Sequence, residues 1–158
     1  CSMKIQIIAV GQKMPKWVDD AFHEYAKRMP RQQSVTLSCI ATSARHSGQS
    51  ITRNQQQEAE KIRSKVKSGS LLIALDEKGK QWTTAEWAEQ FREWQQHTPE
   101  VNVVIGGPDG IDPTLLQQAN KTIALGRMTL PHGLARVVLM EQLYRAWSVV
   151  EGHPYHRE

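Results

Sequence analysis

The stretch that decides the fold is residues 101–158, VNVVIGGPDGIDPTLLQQANKTIALGRMTLPHGLARVVLMEQLYRAWSVVEGHPYHRE. Two short apolar runs, 101–105 and 122–125, each end in a loop, and these loops are 106–110 and 126–133. In open α/β sheets, ligands bind where Gly-rich loops follow neighbouring strand ends. This pair of loops is therefore predicted to form a small-molecule site.

Short apolar runs and helix-like segments alternate along the rest of the chain. Further strands are predicted at 4–10, 35–41 and 70–75, with 76–79 as the loop that closes the last of them. Helices are predicted at 15–29, 51–68, 83–94, 112–119 and 134–150. This alternation predicts one α/β domain over residues 1–158, with a mainly parallel sheet and helices on both faces. Cys1 and Ser2, which precede Met3, are expected to be a remnant of cloning.

The last predicted helix differs from the others because apolar residues occur all the way round it. Such a helix must be buried on more than one side. In a chain of 158 residues, one side can face the sheet and another a second subunit, which predicts a homodimer. The alternative is a core helix in a monomer. Glu141 and Arg145 either neutralise each other as an i, i+4 pair, or Arg145 lines the site from the dimer seam.

Charge is unevenly distributed along the chain. Residues 1–70 carry a net charge of +7 and residues 71–158 a net charge of −3. The basic half indicates either a polyanionic partner or an ordinary solvated helix face. No apolar run reaches the length of a membrane span, and no signal-peptide pattern is present. Cys39 is the single cysteine expected to be native, so a reducing, cytoplasmic location is expected.

Familiar catalytic motifs do not account for the two loops. Residues 106–110, GGPDG, match neither the dinucleotide fingerprint nor a P-loop, and a bare turn would explain them equally well. The second loop has few ionisable groups and suits a flat apolar ring such as adenine. The six histidines show no metal-ligand spacing, so no metal is predicted. Arg136 is either close to an anionic partner or exposed to solvent.

Several segments together resemble the RlmH family of SPOUT-class methyltransferases. They are KIQIIAVGQKMPKWV at 4–18, LDEKG at 75–79, IGGPDG at 105–110, ALGRMTLPHGLARVVLMEQLYRAWS at 124–148 and HPYHRE at 153–158. The resemblance covers essentially the whole chain from Met3. It implies a C-terminal trefoil knot, a homodimer, and methylation of a pseudouridine at N3 in 23S (large-subunit) ribosomal RNA on the assembled ribosome. A non-catalytic RNA-binding module and a nucleotide-dependent enzyme are the alternatives.

The resemblance also implies S-adenosylmethionine as cofactor, bound in the knot loops. Carried onto this sequence, its contacts are Leu75, Gly106, Leu125, Gly126, Arg127, Met128, Thr129 and Leu130. The cofactor brings an activated methyl group, so the protein needs no nucleophile of its own.

Removal of the N3 proton needs a nearby cation or base. The candidates are Arg145, Tyr155, His156 and Arg157, followed by His153. Phosphate contacts are expected from the loop around Arg45 and from the basic helix, at Lys61, Arg63, Lys65 and Lys67.

Overall fold

The computed structural model describes residues 3–11, 13–42, 50–107 and 109–157, without the Arg157 side chain. The loop around Arg45 lies outside the described residues. The strands are β1 (Met3–Val10), β2 (Gln33–Ile40), β3 (Leu71–Gln81), β4 (Glu100–Ile105) and β5 (Lys121–Ala124). The helices are α1 (Lys16–Ala26), α2 (Ile51–Lys65), α3 (Thr84–His97), α4 (Pro113–Gln118) and α5 (His132–Glu151), followed by a 3-10 turn (Pro154–Arg157).

The strands form one sheet in the order β2-β1-β4-β3-β5, and every pair is parallel. The carboxyl ends of all five strands therefore meet at one edge. The loops at this edge come from distant parts of the sequence, since β1 lies beside β4 and β3 beside β5. The parallel α/β architecture expected from the sequence is confirmed.

Helices cover both faces of the sheet. Alternate β1 residues divide between two cores, with Ile5 and Ile7 on one face and Ile8 and Val10 on the other. The first face packs against α1, α3 and α5, and the second against α2 and α4. The Thr83–Glu86 capping box starts α3, with both reciprocal hydrogen bonds present.

Helix α5 lies across the larger core. Leu139, Met140 and Leu143 are fully buried, whereas Leu134 and Val138 are only half-buried. The helix begins at His132, two residues before the predicted start, because Pro131 precedes it and residues 132–133 join its first turn. None of the helices described here combines the length and apolar character that crossing a membrane requires.

Two large apolar helix residues are exposed, and the end of one strand differs from the prediction. Trp17 and Ile51 are 56% and 59% exposed. Residues 76–79 were predicted to close β3, but β3 continues to Gln81. These residues form an irregularity within the strand, since Leu75 and Lys80 both pair with Ile123 of β5.

The irregularity in β3 depends on Gly79. A Cβ atom at this position would lie 2.7 Å from the Ile123 nitrogen and 2.7 Å from the Thr122 carbonyl oxygen. Both contacts are with backbone, which cannot move aside as a side chain can. Gly79 therefore allows β5 to approach β3 where the strand resumes pairing.

We predict that Gly79→Ala lowers the free energy of unfolding by about 1–3 kcal/mol, because the added methyl group overpacks the β3–β5 contact. Chemical denaturation measures this change. Lys78→Ala, which alters the adjacent exposed residue, serves as the matched control and should shift stability by less than about 0.5 kcal/mol. Equal stability of Gly79→Ala and wild type would contradict this close approach.

Candidate active site

A cleft of about 1100 Å³ opens at the carboxyl edge of the sheet. Its walls come from the ends of β1 and β4, the irregular part of β3, the loops after β4 and β5, and the start of α5. The two Gly-rich loops predicted from the sequence therefore lie together in one cavity. Its apolar lining includes Leu75, Ile105, Ile111, Leu116, Leu125, Met128 and Leu130.

Most of the residues expected to contact the cofactor line this cleft. They are Leu75, Gly106, Leu125, Gly126, Met128, Thr129 and Leu130. Arg127 is exposed and does not belong to the lining. Met128 is 81% exposed, so it leaves an apolar side chain at the cleft that a flat ligand could cover.

The first Gly-rich loop is a tight turn held by α2. The Gly110 N–H donates to the Gly107 carbonyl at 3.0 Å, and Gln55 Nε2 of α2 donates to the Asp109 carbonyl at 2.6 Å. A Cβ at Gly106 would lie 2.7 Å from Ile111 Cγ1 and 3.0 Å from the Gly110 carbonyl carbon. Glycine at position 106 thus lets the loop fold back on itself.

The cleft is more charged than the sequence suggested. Lys13, Asp76, Glu77 and Lys78 line it together with Asp109. The first loop itself, GGPDG at 106–110, contains one carboxylate, Asp109, and no lysine. The β1 end and the β3 irregularity, both remote in sequence, bring the other charged residues to the same cavity.

Arg136 of α5 is buried, with only 1% of its surface exposed. Its Nη2 donates to the Gly11 carbonyl at 2.6 Å, and its Nε donates to His132 Nε2 at 2.9 Å. Its Nη1 lies 3.5 Å from Cys39 Sγ. The exposed-arginine alternative is therefore wrong.

His132 connects this buried arginine to the first Gly-rich loop. Its Nδ1 lies 2.9 Å from the Gly106 carbonyl oxygen. Burial and, next, the nearby Arg136 charge lower the pKa of His132 below its usual 6.5. The sequence analysis missed His132 as a site residue. Its proximity to Gly106 depends on the tertiary contact between α5 and the end of β4.

The predicted catalytic residues Arg145 and Tyr155 meet at Glu141, in the middle of α5, and we call these three residues and the 3-10 turn that follows the helix the tail cluster. Tyr155 Oη donates to Glu141 Oε2 at 2.8 Å, and Arg145 Nε donates to the same oxygen at 3.1 Å. The Arg145 guanidinium lies 5.1 Å from the centre of the Tyr155 ring. Tyr25 and Tyr144 pack against that ring and hold it in place.

This cluster determines which groups are charged at neutral pH. Burial, followed by hydrogen bonding to Tyr25 and Glu141, raises the pKa of Tyr155 well above its usual range. The hydrogen bond to Glu141 raises the pKa of Arg145. Tyr155 is therefore a neutral donor, and Arg145 stays cationic but paired with Glu141.

The remaining tail candidates differ in what surrounds them. His156 is half-buried, and its Nδ1 has no hydrogen-bond partner among the residues described. The backbone of Arg157 belongs to the 3-10 turn, while its side chain lies outside the described structure. His153 is exposed, and its ring packs near Trp147.

Helix α5 separates the cleft from the tail cluster. Glu141 and Arg145 lie 9 and 13 residues after His132, which corresponds to roughly 14 and 20 Å along the helix axis. His132 and Ala135 line the cleft at its first turn, whereas the 3-10 turn follows its last residue. None of Arg145, Tyr155 and His156 lines the cleft. The structure of one chain thus does not bring the predicted cofactor and catalytic residues together.

Part of the basic surface formed by α2 and the residues directly after it is engaged in contacts within the chain. Arg63 lies 3.6 Å from Asp112 and donates to Gln118 at 2.9 Å, and Lys67 pairs with Glu100 at 3.2 Å. Among the residues described, no ion pair involves Arg53 or Lys65. The same part of the chain contains no group of three or more potential metal-ligating side chains.

Comparison with known proteins identifies the class to which this fold and cleft belong. Residues 3–156 match the family model described as predicted SPOUT methyltransferase. The chain belongs to this family of methyltransferases. Family membership implies the C-terminal trefoil knot that the sequence resemblance led us to expect.

Individual relatives are similar over their entire length. Proteins named ribosomal RNA large subunit methyltransferase H from Burkholderia lata and Burkholderia cenocepacia are each 46% identical over 155 residues. The protein of that name from Ralstonia pickettii is equally similar. In each comparison the match covers 98% of this chain and 99% of the relative.

Proposed function

We propose that this protein transfers the methyl group of S-adenosylmethionine to N3 of a pseudouridine in 23S ribosomal RNA on the assembled ribosome. The observation that carries the proposal is the cleft in which two Gly-rich loops converge at the sheet edge. Its place in a chain matching proteins named ribosomal RNA large subunit methyltransferase H supports the substrate.

The composition of the cleft fits S-adenosylmethionine. Leucine side chains and Met128 supply apolar walls for an adenine ring, and the glycine loops expose backbone groups for its nitrogens. Glycine at 106 and 107 lets the loop pack closely against Ile111 and Val10, because a Cβ at either position would come within 3.0 Å of those side chains. When bound, the cofactor supplies an activated methyl group on a sulfonium.

We predict that S-adenosylmethionine binds the purified protein in a calorimetric titration and that NAD and ATP do not. The cleft has backbone-rich loops suited to adenine but neither of the usual phosphate-binding fingerprints. Absence of S-adenosylmethionine binding, both free and with ribosomes present, would favour the alternative of a non-catalytic RNA-binding module.

The tail cluster offers groups that can assist departure of the N3 proton. Arg145 can stabilise negative charge that develops on the base, and Tyr155 can donate a hydrogen bond because it stays protonated. His156 is an imidazole in the same 3-10 turn, a type of group that can take up a proton near neutral pH, although its Nδ1 is buried and the proton would have to reach the other ring nitrogen. Arg157, in the same 3-10 turn as Tyr155 and His156, provides a second cation besides Arg145.

The proposed reaction requires a second copy of the chain. The tail cluster is centred on Glu141 and Arg145, roughly 14 to 20 Å along α5 from His132 at the cleft, and a rigid helix cannot close this separation within one chain. Leu134, Val137 and Val138 leave apolar surface half-exposed on α5. Packing of two α5 helices would cover this surface and place the tail of one chain beside the cleft of the other. We therefore propose a homodimer with composite sites.

Mixed dimers test this arrangement. A Gly106→Ala chain, defective in the cleft, is paired with an Arg145→Ala chain, defective in the tail. Each homodimer should lose at least about 99% of single-turnover methyl transfer, because one essential half of every site is missing. The mixed dimer should recover about half of the wild-type activity, since one of its two sites combines an intact cleft with an intact tail.

The reciprocal pairing is the control. A wild-type chain paired with a chain carrying both substitutions should be inactive if sites are composite, because each site contains one defect. If each chain forms its own site, this second dimer keeps half of the activity and the first has none. That pattern would contradict the proposal.

The basic face of α2 is proposed to contact ribosomal phosphates. Arg53 in the first turn of α2 and Lys65 at its last residue are exposed, and neither forms an ion pair with the described residues. We predict that replacing Lys65 and Lys67 by glutamate reduces the salt dependence of ribosome binding, because counterions are released at each phosphate contact. Glu89→Lys on the exposed face of α3 is a charge control. An unchanged salt slope would exclude this surface.

A further inference from the structure

Arg136 occupies a position that is costly by two physical criteria. Its guanidinium is buried, and no carboxylate among the described residues lies within ion-pair distance. It also lies one turn from the start of α5, where the helix dipole disfavours a cation. Its hydrogen bonds to Gly11 and His132 offset part of this cost.

Those hydrogen bonds join the two neighbouring strand ends that form one wall of the cleft. Gly11 follows β1, Gly106 follows β4, and both glycines line the cleft. Arg136 reaches Gly11 directly and reaches Gly106 through His132. Arg136 also contacts Cys39 of β2, so it connects to a third strand of the sheet.

The donors and acceptors in this series of hydrogen bonds determine which ring nitrogen of His132 carries the proton. An arginine has no acceptor, so Arg136 Nε–H must donate and His132 Nε2 must accept. A neutral imidazole then carries its proton on Nδ1, which donates to the Gly106 carbonyl. The buried cation therefore selects one tautomer, and that tautomer fixes the first residue of the Gly-rich loop.

We propose that Arg136 and His132 are positioning residues for the methyl donor, acting through the hydrogen-bonded chain Arg136–His132–Gly106. The inference rests on the proposed function, because it takes Gly106 as a residue of the cofactor site. Neither side chain takes part in the chemical step. Together they hold the Gly106 carbonyl and the start of the loop in the conformation that binds S-adenosylmethionine.

The first arm of the test measures the wild-type protein and uses a variant only to assign its signals. Long-range proton–nitrogen correlation spectra of the wild-type protein at pH 7.5 report the tautomer of each of the six histidines. The His132→Asn spectrum identifies the His132 signals by their loss. We expect the Nδ1–H form. An Nε2–H form or a charged imidazole overturns the proposal.

The second arm compares two substitutions of His132 by calorimetric titration with S-adenosylmethionine. His132→Asn places a carboxamide N–H close to the position of Nδ1, so its affinity should stay within about threefold of wild type. His132→Phe keeps the ring but removes the donor, and its affinity should fall about tenfold or more. Thermal melts establish that both variants are folded. Equal affinities for the two variants overturn the proposal.

The two arms separate this inference from the function on which it rests. If the wild-type protein binds no S-adenosylmethionine, the cofactor assignment fails and with it the positioning role. If the wild type binds S-adenosylmethionine but the His132 tautomer or the affinity of His132→Asn differs from expectation, the methyltransferase proposal stands and the positioning role of Arg136 and His132 fails.

Discussion

The burial of α5 across the sheet is the constraint on which the remaining structure depends. Its inward side chains, including Leu139, Met140 and Leu143, complete the larger core together with α1 and α3. The same rigid helix carries His132 at the cleft and ends beside the tail cluster. Packing energy therefore fixes the two functional regions at separate positions along α5, with Glu141 and Arg145 roughly 14 and 20 Å beyond His132 along the helix axis.

The cleft and the tail cluster carry groups suited to different parts of the proposed reaction. The cleft is rich in backbone groups and apolar side chains, which suit recognition of a cofactor that already carries an activated methyl group. The tail cluster contains the cation, phenol and imidazole that can act on an acidic N–H. Glu141 keeps Arg145 and Tyr155 ordered while they are apart from substrate, so these groups need little reorganisation to act.

Local sequence patterns predicted the strands, the capped start of α3 and the two Gly-rich loops, because each depends on neighbouring residues. The two loops lie at the same edge because the strands that precede them, β4 and β5, run parallel in one sheet. The extent of β3 was not predictable in this way, since the pairing of both Leu75 and Lys80 with Ile123 requires β5 as a partner. Polar residues at 76–79 read locally as a loop end.

The site was predictable where backbone glycine and strand ends define it, and unpredictable where distant side chains meet. Leu75 and Gly106 line the cleft, whereas the roles of Lys13 and His132 emerge from tertiary contacts. The same holds for Arg136. Its burial depends on three acceptors at Gly11, Cys39 and His132, which are spread over more than 120 residues of sequence.

The most direct test of the account is transfer of labelled methyl from S-adenosylmethionine to ribosomes that lack the modification. Ribosomal RNA is then digested to nucleosides and the label is identified by chromatography and mass spectrometry. The account predicts label in 3-methylpseudouridine from the large-subunit RNA. Label in another nucleoside, or no transfer by protein that binds the cofactor, would contradict it.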